Sequence, residues 1–144
     1  MTHQDILHPV VALAAWTMIM WIWMYVTRIP AMSAAKVDPD SLVQQGAKTL
    51  GDLLPAKVQW KADNYNHLHE APTVFYAVAI VLAMLDQGNG MNAMIAWAYV
   101  FLRVIHSIFQ ATMNKVMIRF IIFVLSSLAL MALVLHAYLA VIHH

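Results

Sequence analysis

Long apolar runs alternate with short polar interruptions along this chain, and the runs are longer than a soluble core requires. A helix needs about 20 mostly apolar residues to cross a bilayer. Residues 9–29 meet that length, with the first charge at Arg28. Residues 91–113 meet it apart from Arg103, and residues 116–142 meet it with Arg119 near the start. The run from Pro72 to Leu85 is too short by itself. It reaches across only by taking in the preceding "ADNYNHLHEA". An α-helix from Asp63 to Leu85 is roughly 35 Å long, so the polar first third of that helix lies at membrane depth. The pattern predicts an all-α fold, a four-helix transmembrane bundle. Its spans are 9–29, 63–85, 91–113 and 116–142, within one domain covering 1–144.

The connections fit this division. "DQGNGMN" reads as a turn, with Gly88 and Gly90 as breakers. "TMNK" is so short that the third and fourth spans must be antiparallel neighbours. The longer first connection contains "DSLVQQGAKTLGDLLP", where Val43, Ala47, Leu50 and Leu54 fall on one helical stripe. This reads as a short amphipathic helix on the membrane surface, with a lid over a site as the alternative. Arg28, Lys36, Lys48, Lys57 and Lys61 lie in or beside the first connection, and Lys115 and Arg119 in or beside the third. The positive-inside rule places both connections in the cytoplasm and both termini outside it. The expected location is a bacterial inner membrane.

Composition sharpens the class. The 144 residues are 62% hydrophobic and 10% charged, against roughly 25% charged in soluble domains. The absence of cysteine excludes disulfides, thiolate nucleophiles and zinc–thiolate sites. A formal charge of +1 offers nothing to nucleic acid. His67 and His69 are two apart and diverge on a helix, so no metal site is expected.

The buried polar residues form stripes. Tyr99, Arg103, His106, Ser107, Gln110 and Asn114 share one face of the third span. Asp63, Asn66, Glu70 and Thr73 share a face of the second, with His67 adjacent. Glu70 lies about 12 Å, and Arg103 about 15 Å, from the cytoplasmic ends of their spans. An unpaired arginine at the bilayer centre costs about 2.5–3.5 kcal/mol on insertion scales. An ion pair between Glu70 and Arg103 inside the bundle is the expected compensation. Pro72 removes a backbone donor and should kink the second span beside Glu70.

The runs "NHLHEAPTVFYAVAIVLAML", "WAYVFLRVIHS" and "VMIRF" resemble the membrane-associated proteins in eicosanoid and glutathione metabolism (MAPEG). The likeness covers roughly residues 60–140, and is weaker around "MYVTRIPAM" in the first span. It implies four-helix protomers assembled as a homotrimer, in contact with membrane lipids. It also implies glutathione bound between neighbouring subunits near the cytoplasmic helix ends, with a lipophilic small molecule as second substrate. Glu70 matches the acidic residue that resembles a ligand for the amino end of glutathione. Arg103 and His106 match residues that frame the same pocket. Arg119 matches the arginine implied to stabilise the thiolate, and Arg28 resembles a contact for a glutathione carboxylate. Many members carry asparagine three residues before the glutamate; here His67 holds that place, with Asn66 beside it. Gln110 stands where some enzymes carry tyrosine, and Phe120 where some carry serine.

The residue types suit the ligand. An anionic tripeptide thiol needs cations for its carboxylates and an anion for its ammonium, and Arg28, Arg103 and Glu70 supply both. A neighbouring arginine lowers a thiol pKa by favouring the charged form. Arg119 sits in the first turn of its helix, where the dipole also favours an anion. Plainer roles stand beside these: a structural Glu70–Arg103 pair, a snorkelling Arg119 and a core His106. Three classes follow. The first is a glutathione-dependent transferase or lipid-peroxide reductase. The second is a non-catalytic lipid-binding protein of the same fold, and the third a small transporter or proton-handling protein. An inverted repeat would mark the third, and the sequence has none.

Overall fold

The computed structural model describes residues 4–43 and 49–144, and among these all regular structure is helical. The elements are α1 (Leu7–Ala34), a 3-10 turn (Pro39–Val43), α2 (Leu50–Leu53), α3 (Ala56–His67), α4 (Ala71–Met84), α5 (Met91–Thr112) and α6 (Val116–Ile142). Helices α1, α5 and α6, together with the α3–α4 pair (Ala56–Met84), are long and apolar enough to cross a membrane. At 1.5 Å per residue, the 22 residues of α5 span roughly 33 Å, close to the thickness of a bilayer's hydrocarbon core. The chain is thus a multi-pass integral membrane protein built as a four-helix bundle.

Two boundaries differ from the sequence reading. Helix α1 runs through Pro30 to Ala34 instead of ending beside the proline. A proline removes a single backbone donor, and the helix resumes beyond it. The first connection is also more fragmented than one amphipathic helix. Its predicted stripe passes through Ala47, which lies outside the described residues. On the far side, Thr49 starts α2 by donating its backbone N–H and its hydroxyl to Asp52 Oδ2, at 3.1 and 3.0 Å.

The second span is broken where a kink was expected. Helix α3 ends at His67, α4 begins at Ala71, and Glu70 takes the non-helical dihedrals φ −96°, ψ −98°. Pro72 cannot donate to the carbonyl of Leu68. Around it the backbone tightens to three-residue bonds, His69 N to Asn66 O and Glu70 N to His67 O, at 3.0 and 3.1 Å. Thr73 Oγ1 donates to His69 O at 2.6 Å. Arg103 reaches the break from α5, its Nη2 donating to His67 O at 3.4 Å. The two halves choose different neighbours. Helix α3 packs on α1 and α5, while α4 packs mainly on α6 and also on α1. The longest shared interface is that of α5 and α6, joined by the tight 113–115 turn where Asn114 has φ +50°. Asparagine tolerates that left-handed geometry better than most residues.

The core follows from these pairings. Leu13, Met20, Phe75, Ala79, Leu82, Ala96, Tyr99 and Leu133 are buried together, and the Phe75 and Tyr99 rings stack at 4.7 Å. Lys61 pins three helices at once. Its ammonium donates to the Lys57 and Ala111 carbonyls at 3.1 and 3.3 Å and lies 5.0 Å from the centre of the Trp23 ring. It thereby caps the C-terminal end of α5, where a cation is favoured. Lys61→Met keeps the aliphatic stem and removes the charge. It is expected to destabilise the protein by about 1–2 kcal/mol, read as a lower melting temperature in detergent; an unaltered melt would show that the contact contributes nothing.

Candidate functional site

The break in the second span opens a cavity of about 300 Å³ between α4, α5 and α6. Its wall holds His67 at the end of α3, Glu70 in the break, Arg103 and His106 on α5, and Arg119 on α6, with Val116, Phe120 and Phe123 as apolar lining. The buried face of α5 supplies the floor, since Tyr99, Arg103, His106, Ser107 and Gln110 are all buried. The α6 side is open, with Phe120 and Phe123 exposed at the surface. Glu70 is exposed as well. Small-molecule sites run from about 300 Å³ upward, and the cavity lies at the lower end of that range.

Glu70 and Arg103 form no ion pair. The carboxylate and the guanidinium attract one another across the shared cavity, while Arg103 spends one donor on the helix break. The reason lies in the break itself. Once the chain leaves helical geometry at Glu70, the direction of its side chain no longer follows the face that a continuous helix would give it.

Three polar atoms in this wall are buried without a partner: Arg103 Nε, Arg119 Nε and His106 Nδ1. Buried donors are normally satisfied. Two guanidiniums and a carboxylate on one wall suit a ligand carrying both an anionic and a cationic group. Among the described residues, no three metal-ligating side chains are grouped as a metal ion would need.

Gln110 is buried and stands behind the wall. Its amide Nε2 lies 2.7 Å, and its Oε1 3.1 Å, from His67 Nδ1. Asn66 does not join the cluster and is exposed on the outer side of α3. Arg28 lies on α1, half-buried, with its Nε unpartnered, and is not part of this wall. The sequence reading passed over Asn64. This residue is fully buried and donates through Nδ2 to Ser107 Oγ at 2.5 Å, while Trp16 Nε1 donates to the same oxygen at 2.9 Å. That three-helix junction fixes α3 against α1 and α5 directly beneath His67. The signal for it was weak, since "ADNYN" offers two asparagines and a continuous-helix face selects the wrong one.

Comparison with known proteins yields one match. The model of the MAPEG family aligns with residues 6–139 of the 144-residue chain. No curated protein and no solved structure matches.

Proposed function

The chain belongs to the MAPEG family, and on that premise we propose that it is a glutathione-dependent membrane enzyme that conjugates or reduces lipophilic electrophiles or lipid hydroperoxides. Members of the family include glutathione transferases, peroxidases and lipid-metabolising enzymes, and they typically use glutathione as substrate or cofactor. The observation that carries the reading is the convergence of Glu70, Arg103, His106 and Arg119 on one cavity at membrane depth.

When bound, glutathione supplies the thiol that attacks the second substrate. Glu70 holds its ammonium, and Arg103 and His106 offer donors to its carboxylate and carbonyl oxygens. Arg119 faces the sulfur and stabilises its anionic form. It is helped by its place in the first turn of α6, where unpaired backbone N–H groups favour negative charge. Val116, Phe120 and Phe123 give the lipophilic substrate an apolar approach from the bilayer.

The protomer leaves Asn66, His69, Glu70 and Thr73 exposed along the middle of a membrane span. Ionisable and polar groups at that depth do not face lipid, which supports cover by further copies of the chain. A homotrimer meets that need, and in it Arg28 of one protomer completes the cavity of the next. Phe120, exposed beside Arg119, favours a second reading, a non-catalytic lipid-binding protein of the same fold.

Calorimetric titration of glutathione into the detergent-solubilised protein tests the first reading against the second. Saturable binding is expected. Glu70→Gln keeps the shape of the side chain and removes its charge, and should weaken the affinity roughly 10- to 100-fold, the worth of one charge-assisted hydrogen bond. A folded wild-type protein that takes up no glutathione would overturn the enzyme reading.

A further inference from the structure

We propose that His67 is the proton acceptor for a thiol held in the cavity, and that Gln110 is the positioning residue that keeps its ring in place. This deepens the glutathione reading above and rests on it. A thiol that ionises in the cavity gives its proton to an acceptor. Arg119 favours the thiolate, but a guanidinium has no lone pair with which to take a proton. The groups in the wall that have one are His67, His106 and Glu70.

Glu70 is matched to the ligand ammonium. His106 has a buried Nδ1 with no partner, and it faces the positive charges of Arg103 and Arg119. A proton arriving on that ring meets two cations and finds no hydrogen-bond acceptor on the far side. His67 shares the cavity with the same two cations, but its Nδ1 has a partner. Gln110, 1% exposed, presents both atoms of its amide to His67 Nδ1, Nε2 at 2.7 Å and Oε1 at 3.1 Å. A half-turn of the amide exchanges its O and N ends, so its oxygen can face Nδ1 and accept from Nδ1–H. That hydrogen bond selects the tautomer in which Nε2 is bare, on the side away from Gln110, with a lone pair to take a proton. The charged and titratable groups around His67 are Glu70 in the break, Arg103 and His106 on α5, and Arg119 on α6. The Glu70 carboxylate offsets part of the cationic field. Arg103 anchors the His67 carbonyl at the same time.

The S–H bond breaks and its electron pair stays on sulfur, facing Arg119. The proton goes to His67 Nε2, and Gln110 Oε1 accepts the Nδ1–H of the resulting imidazolium. The departures from the family pattern at 67 and 110 then belong together, since an asparagine at 67 accepts no proton and gives Gln110 nothing to orient.

Two measurements test this. Stopped-flow mixing of glutathione with the detergent-solubilised protein follows thiolate formation by its ultraviolet absorbance. The wild-type rate should fall on acidification. In His67→Asn and His67→Gln the rate should drop roughly 100-fold or more and lose that pH dependence, while thiolate still accumulates at the end because Arg119 remains. Gln110→Leu should give an intermediate rate. In the protein without glutathione, ¹⁵N spectra of labelled histidine should show one fixed tautomer of His67 in the wild type and a mixture in Gln110→Leu. Thiolate formation in both His67 variants at the wild-type rate and with the wild-type pH dependence would overturn the proton acceptor and leave the glutathione site standing. An unchanged tautomer and rate in Gln110→Leu would remove Gln110 from its role. A wild-type protein that neither binds glutathione nor ionises it would overturn the site reading, and this inference with it.

Discussion

Arg119→Ala is expected to lower thiol-dependent turnover roughly 100- to 1,000-fold, the range seen when one preorganised donor is removed from a developing negative charge. Arg119 lies one turn into α6, half-buried, on the wall of the cavity formed by the broken second span. Its Nε is buried and has no partner, so no protein group among the described residues neutralises the guanidinium beside the cavity. Its position at a helix N-terminus adds the dipole to the charge. Helices α5 and α6 pack through many other residues, so the fold should survive the change. Arg119→Lys should recover part of the rate, since a point charge remains without the planar fork. The measurement is turnover with an electrophile or a hydroperoxide, alongside the thiolate absorbance of the bound thiol. Turnover in Arg119→Ala equal to wild type would transfer the thiolate-stabilising role to Arg103, whose Nε is also unpartnered.

Ser107→Ala is the substitution with the largest expected effect on stability. The Ser107 hydroxyl has two lone pairs, and both are used: one by Asn64 Nδ2 from α3, one by Trp16 Nε1 from α1. Ser107 itself is fully buried. Removing the oxygen leaves two buried N–H donors without partners, each costing about 1–3 kcal/mol. The loss should appear as a melting temperature lower by several degrees in detergent. Ser107→Thr, which keeps the oxygen, should lie nearer the wild type. Because the junction sits below His67, Ser107→Ala should also disturb the cavity; glutathione binding and melting should change together. A melt unaffected by Ser107→Ala would mean that water or the backbone satisfies both donors, and that the three helices are held together elsewhere.

The number of spans, their approximate limits and the polar face of α5 were legible in the sequence. In a bilayer every backbone group must be satisfied within its own segment, so long apolar runs have one structural solution. On an unbroken helix, residues three and four apart share a face. Arg103, His106, Ser107 and Gln110 accordingly share the buried face read for them. The second span was legible in position and not in detail. Pro72 announced a disturbance, but whether a proline bends a helix or breaks it depends on what satisfies the freed carbonyls. Here the backbone tightens to three-residue bonds, and an arginine from another helix and a threonine hydroxyl bond the His67 and His69 carbonyls.

That distinction decided the rest. The break turns Asn66 outward, buries Asn64, opens the cavity and separates Glu70 from direct contact with Arg103. No periodicity reaches across a break, because each half-helix takes its rotation from the neighbours it packs on, α1 and α5 for α3, and chiefly α6 for α4. The pairing of His67 with Gln110 is of the same kind. The two residues lie 43 positions apart, and only the packing of α3 against α5 brings an imidazole and an amide to one point. The sequence by itself determined that this is a four-span membrane protein with a charged interior. The tertiary structure alone decided which charges meet, since contact between helices depends on the rotation and depth of each one, and those are settled by packing.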